Sequence, residues 1–143
     1  MTIKHWLAVV GAFAVGFGAH EMVSPAITAH AAANRVFEFR TYTAAPGKLE
    51  ALKTRFKDHT ITIFKKHDMT SIGYWVPQDA PESTNTLTYI LAHPSREDAK
   101  KNWAAFNTDP EWVKAKGESE KDGKLVDKVV SVFADPLEFS QIK

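Results

Sequence analysis

The chain has 143 residues, enough for one domain whose core holds without covalent staples, and no second domain is expected. Its 18 Lys and Arg and 17 Asp and Glu are well mixed, which excludes the broad field that would draw it to nucleic acid or to an anionic membrane. It contains no cysteine, which excludes disulfides, zinc–thiolate sites, iron–sulfur clusters and thiol nucleophiles.

Residues 1–5 carry Lys4, and residues 6–19 are an almost unbroken apolar run, the positive and hydrophobic regions of an export signal. A more polar stretch with Pro25 leads to Ala29-His30-Ala31, the small-x-small pattern that a signal peptidase accepts. Cleavage is expected after Ala31, with Ala33 the alternative, leaving a single domain over residues 32–143. The competing reading is an uncleaved anchor, but this Gly-rich run is shorter than the roughly 20 residues that cross a bilayer as a helix. With no twin arginine and no cysteine to lipidate, the expected product is periplasmic or secreted, with no stable membrane insertion.

Residues 36–43 are aromatic and β-branched and predict a strand, with Phe37 and Phe39 on one face and Glu38, Arg40 and Tyr42 on the other. Pro46-Gly47 breaks it. Leu49, Leu52, Phe56, Thr60 and Ile63 then recur at helical spacing, so a helix runs to about His67, with a solvated lysine-rich face. Residues 70–76 predict a second strand ending at Pro77, residues 78–85 a polar loop, and residues 86–93 a third strand. Ser95 with Asp98 three residues later predicts a helix start, and Ala99, Trp103 and Phe106 form its buried stripe. Asp109-Pro110 restarts the helical pattern, with Trp112 as the anchor of a short helix that Gly117 weakens and Asp122-Gly123 ends. Residues 125–133 predict a Val-rich strand stopped at Asp135-Pro136, and Leu137 and Phe139 are expected to dock the tail on the domain.

The order β-α-β-β-α-β predicts an α+β, ferredoxin-like fold: a four-stranded antiparallel sheet with its helices on one face. Tyr89-Ile90-Leu91-Ala92 and Val129-Val130 nevertheless put apolar groups on both sides of the sheet. An open face of that kind is a large patch for a soluble monomer. An identical copy covers it most simply, because a two-fold axis matches a patch to itself. The expectation is a homodimer with sheets face to face, enclosing a space between each sheet and its helices or between the sheets.

The run Phe37-Glu38-Phe39-Arg40-Thr41-Tyr42-Thr43 with Pro46-Gly47-Lys48-Leu49, the Lys66-His67 helix end leading to Ile72-Gly73-Tyr74-Trp75, and Asp109-Pro110-Glu111-Trp112 together resemble the NIPSNAP family. The resemblance covers nearly all of residues 36–133 and is closest to an exported bacterial-type branch. It implies a dimeric α/β-barrel architecture, in a superfamily that also contains small monooxygenases, haem-degrading enzymes and haem-dependent chlorite-decomposing enzymes. It implies no reaction and carries over no catalytic residue. Two departures stand out. Asp68 replaces the Gly that many relatives have after the helix-ending His, and Thr88-Tyr89-Ile90-Leu91-Ala92-His93 replaces a third strand that often shows His and Trp.

Glu38, Arg40 and Tyr42 share a strand face, which makes Arg40 a carboxylate or phenolate clamp with Glu38 as its orienting partner, or else half of a structural ion pair at the dimer seam. Tyr74, Trp75 and Tyr89 are candidates for an aromatic wall, against the competing reading of core packing. His67 reads as a helix-end histidine set against the dipole, whereas His93 is the best candidate for proton transfer. His59, His67 and His93 include no pair at metal-binding helical spacing, so neither a metal site nor a cofactor is assigned. The functional expectation is a homodimer binding a small apolar or aromatic ligand. The alternatives are a cofactor-independent oxygenase or isomerase acting on an aromatic small molecule, and a haem-binding protein using His67 or His93.

Overall fold

The computed structural model describes residues 35–143, so the export segment and the cleavage expected after Ala31 lie outside the described residues. The sheet contains β1 (Val36–Ala44), β2 (Thr70–Trp75), β3 (Thr86–His93) and β4 (Val126–Ala134) in the order β2-β3-β1-β4, with every neighbouring pair antiparallel. Between β1 and β2 the chain forms α1 (Leu49–Arg55), a π turn (Phe56–Thr60) and α2 (Ile61–Lys66). Between β3 and β4 it forms α3 (Arg96–Thr108) and α4 (Pro110–Ser119). This is the ferredoxin-like α+β arrangement expected from the periodicities. The polar loop after β2 contains a short 3-10 turn, Glu82–Thr84.

The helix ends follow local chemistry. Ser95 Oγ accepts the Asp98 N–H at 3.0 Å and donates to the Asp98 carboxylate at 2.7 Å, closing the first turn of α3. Asp109 accepts the Glu111 N–H at 2.8 Å, with Pro110 in the first position of α4, where a missing N–H costs nothing. Gly117 sits inside α4 and does not end it. Asp68 takes the left-handed conformation, φ 55°, just after the α2 cap, the position that glycine ordinarily fills.

The same Asp109 carboxylate receives His67 Nε2 at 2.7 Å and Lys66 Nζ at 2.9 Å, which ties the end of α2 to the start of α4. Hydrogen bonds from Lys66 and then His67 hold its carboxyl well below the usual carboxylate range, against the opposing effect of desolvation.

Alternation along the strands decides what is buried. Tyr42, Ala44, Leu87, Tyr89 and Leu91 face the helices and pack on Leu52, Phe56, Phe64 and Phe106. Phe64 is the hub, with ring centroids of Phe106, Trp103, Tyr89 and Phe56 at 4.9, 5.5, 5.9 and 6.2 Å. Each such side chain contributes about 1.5–3 kcal/mol on full burial.

The opposite face carries Phe39, Val130 and Val132, all exposed. Residues 135–143 run beside it and frame an apolar groove with Phe37, Phe39 and Ile72, yet Leu137 stays 61% and Phe139 79% exposed. The tail expected to dock through these two residues thus borders the sheet without burying them. Arg35 Nε donates to the Lys143 carbonyl at 2.8 Å, joining the two ends of the described chain beside this face.

Candidate functional site

The central strand β1 presents Glu38, Arg40 and Tyr42 to the helices at a period of two. Glu38 is 1% exposed and accepts four hydrogen bonds: Arg40 Nη1 at 2.5 Å, Ser131 Oγ at 2.6 Å, Trp103 Nε1 at 2.7 Å and His93 Nε2 at 3.1 Å. A buried carboxylate is costly unless its lone pairs are filled, and these four donors from β1, β4, α3 and β3 fill them. Burial alone would raise its pKa, but the bonds from His93, Ser131, Trp103 and Arg40 more than offset this and hold it at about 2. Glu38 is therefore ionised at neutral pH and fixes Arg40 beside it.

The Arg40 guanidinium lies 4.1 Å from the Trp103 ring centroid, and its Nη2 donates to the Tyr42 hydroxyl at 3.3 Å. Desolvation lowers its pKa, but the neighbouring Tyr89, Tyr42 and Glu38 raise it further, so its charge is permanent. Tyr89 donates to the same Tyr42 oxygen at 3.0 Å. Burial pushes the Tyr89 hydroxyl well above its ordinary range, which keeps it a neutral donor.

Between this strand face and the helices lies a chamber of about 460 Å³. Its aromatic walls are Tyr42, Phe56, Phe64, Trp103, Phe106 and Trp112. Arg55 enters from the helix side, bonded to Glu120 at 2.8 Å and 5.2 Å from the Trp112 ring centroid. Arg40, Arg55, Lys116, Lys124 and Lys128 line it against Glu120 and Asp127, five cations to two anions. Arg40 Nε and Arg55 Nε are both buried without a partner among the described residues. Such an arrangement suits a flat ring that carries an acidic group: apolar contact and stacking on the walls, and guanidinium donors for the acid.

Of the candidates raised from sequence, Arg40 and Tyr42 line the chamber, and Glu38 braces Arg40 from behind. Tyr89 and Tyr74 belong to the core beneath it, stacked at 5.6 Å, with Tyr74 also bonded to Ser71 Oγ at 2.5 Å. Trp75 does not join them. Neighbouring strand residues point to opposite faces, and the Trp75 ring folds over Gly73, where an added Cβ would lie 2.6 Å from it. The chamber's own wall includes Trp103 and Trp112, while Tyr74 and Trp75 border a separate shallow recess with Val76 and Leu87.

His93 is fully buried and spends Nε2 on Glu38, while its Nδ1 has no partner among the described residues. It does not line the chamber. Arg55, Trp112 and Ser131 were not picked out as site residues from sequence. The stripe reading placed Trp103 in a core, and only its indole bond to Glu38 reveals the second use.

A family model described as NIPSNAP matches residues 37–141. A NIPSNAP family protein of unknown function from Agrobacterium tumefaciens is 25% identical, with a TM-score of 0.67 over 78% of this chain and 96% of its own. An uncharacterised NIPSNAP-like domain protein from Burkholderia xenovorans is 20% identical, with a TM-score of 0.65 over 76% of this chain and 90% of its own. A putative antibiotic biosynthesis monooxygenase from Caulobacter crescentus, 14% identical with a TM-score of 0.50, covers 73% of this chain and 92% of its own and shares the fold alone. No curated protein matches the chain. With the family model reaching into all four strands and spanning both helical connections, the chain belongs to the NIPSNAP family.

Proposed function

We propose that this protein binds a small aromatic anion in the chamber between its sheet and its helices, and that it does so as a homodimer. The observation that carries the reading is the chamber itself: aromatic walls, a cation excess, and a guanidinium locked in place by a carboxylate with no free valence. Binding costs less when donors are already oriented, and Glu38 orients Arg40 before any ligand arrives. The exposed face bearing Phe39, Val130 and Val132 supports pairing with a second copy through that face, since a two-fold axis sets like against like. The export signal read in residues 1–31 would put this binding in the periplasm or outside the cell.

The test is a titration with 2-naphthoate and with its neutral amide, followed through quenching of Trp103 and Trp112 emission. Arg40→Ala is expected to weaken naphthoate by about 10–100-fold, the equivalent of one lost charge-assisted bond, and the amide far less. Arg40→Lys keeps a charge beside Glu38 and should fall between the two, because an ammonium cannot match the planar fork. Equal losses for both probes, or no binding of either by the wild type, would overturn the reading.

A further inference from the structure

The connection between β1 and β2 is not a regular helix, and its irregular turn faces the chamber. Ile61 N–H bonds to the Phe56 carbonyl, five residues back, which makes the turn Phe56–Thr60 a π turn. Wide turns of this kind are rare and recur at functional sites. Its consequence here can be followed residue by residue. At about 100° per residue, a regular helix with Leu52 and Phe56 inward would send Arg55 and Phe64 to opposite flanks. Widening one turn rotates the half that ends at Arg55 against the half that carries Ile63 and Phe64 by roughly a quarter of a revolution, so that with Ile63 and Phe64 seated in the core Arg55 turns inward. Leu52, Arg55, Phe56, Thr60, Ile63 and Phe64 are accordingly all buried. The consecutive pair Arg55 and Phe56 both reach the chamber, a cation beside a ring.

One side chain favours this state over the regular one. Thr60 Oγ1 donates to the Arg55 carbonyl at 3.2 Å. A helical threonine ordinarily bonds back three or four residues. A reach of five exists only across a widened turn, so the bond stabilises the π state and is lost in the α state. Thr60 is also fully buried, so water does not substitute for it.

We propose that Thr60 is a positioning residue for ligand binding: by holding the π turn open, it presents Arg55 beside Phe56 as the chamber's second cationic contact for an aromatic anion. This rests on the chamber reading above. Removing the bond shifts the population toward the regular helix, and Arg55 leaves the chamber wall.

The experiment compares the wild type, Thr60→Val, Thr60→Ser and a one-residue deletion of the exposed Asp58, which returns the segment to α register. Each is titrated with 2-naphthoate and 2-naphthamide, and Trp112 emission is recorded without ligand, because Arg55 lies over that ring. Thr60→Val is expected to cut the preference for the acid over the amide by about tenfold, with a shift in Trp112 emission, and Thr60→Ser to restore both. The deletion should stay folded and lose the preference outright. Retention of the wild-type preference in Thr60→Val and in the deletion would overturn the inference while leaving the chamber reading intact. A wild type that binds neither probe overturns the chamber reading and the inference together.

Discussion

Replacing Glu38 by Gln changes one atom and tests whether the four-donor site is the keystone of the fold. The carboxylate offers Oε1 to Arg40 and Ser131, and Oε2 to Trp103 and His93. An amide has one acceptor oxygen, so its NH2 must face one of these pairs. Each pair contains a group that can only donate, the guanidinium in one and the indole in the other. Serine can rotate and histidine can change tautomer, but Arg40 and Trp103 cannot adapt. The charged donor keeps the oxygen, and the NH2 meets the indole.

Breaking a buried ion pair from one side costs about 3–5 kcal/mol. That is a large share of the roughly 5–15 kcal/mol that holds a domain together. At a slope of about 1–2 kcal/mol per molar urea, the unfolding midpoint of Glu38→Gln should fall by about 1.5–5 M. The Trp103 indole N–H proton resonance should move upfield as its bond is lost, with the other tryptophans little changed. A midpoint within about 0.5 M of the wild type, at unchanged slope, would refute the keystone role, because it implies less than about 1 kcal/mol.

Two further outcomes follow. Glu38 ionises at about 2 in the folded protein against an ordinary 4.5, so its folded pKa is depressed and its stabilisation is present above pH 4.5. That stabilisation, about 3 kcal/mol from the shift, drains away as pH falls from 4.5 toward 2. Urea melts across this window should show the loss in the wild type and a flatter profile in Glu38→Gln, and parallel profiles would contradict it. If the open faces pair, the wild type should sediment as a dimer at micromolar concentration and Phe39→Lys as a folded monomer. A monomeric wild type would dispose of the dimer.

Much of the architecture was legible because it rests on interactions between near neighbours along the chain. Strand alternation alone put Glu38, Arg40 and Tyr42 on one side, since the pleat acts residue by residue. Ser95 with Asp98, and Asp109 with Pro110, announced their helix starts because a cap needs only three or four residues of chain. The same alternation separates Tyr74, stacked on Tyr89 in the core, from the exposed Trp75. The last strand runs over Val126–Ala134 rather than 125–133, one residue later.

The site was less legible. Nothing in the neighbourhood of Glu38 tells that Trp103, 65 residues on, and Ser131, 93 residues on, donate to it. Nor does the spacing of Leu49, Leu52, Phe56, Thr60 and Ile63 disclose the widened turn that brings Arg55 inward. The order of polar and apolar residues by itself determined the strands, the helices and which face of β1 carries the charge. The tertiary structure decided which donors meet that charge, because strand register and helix rotation are set by packing across the whole core rather than by any one segment.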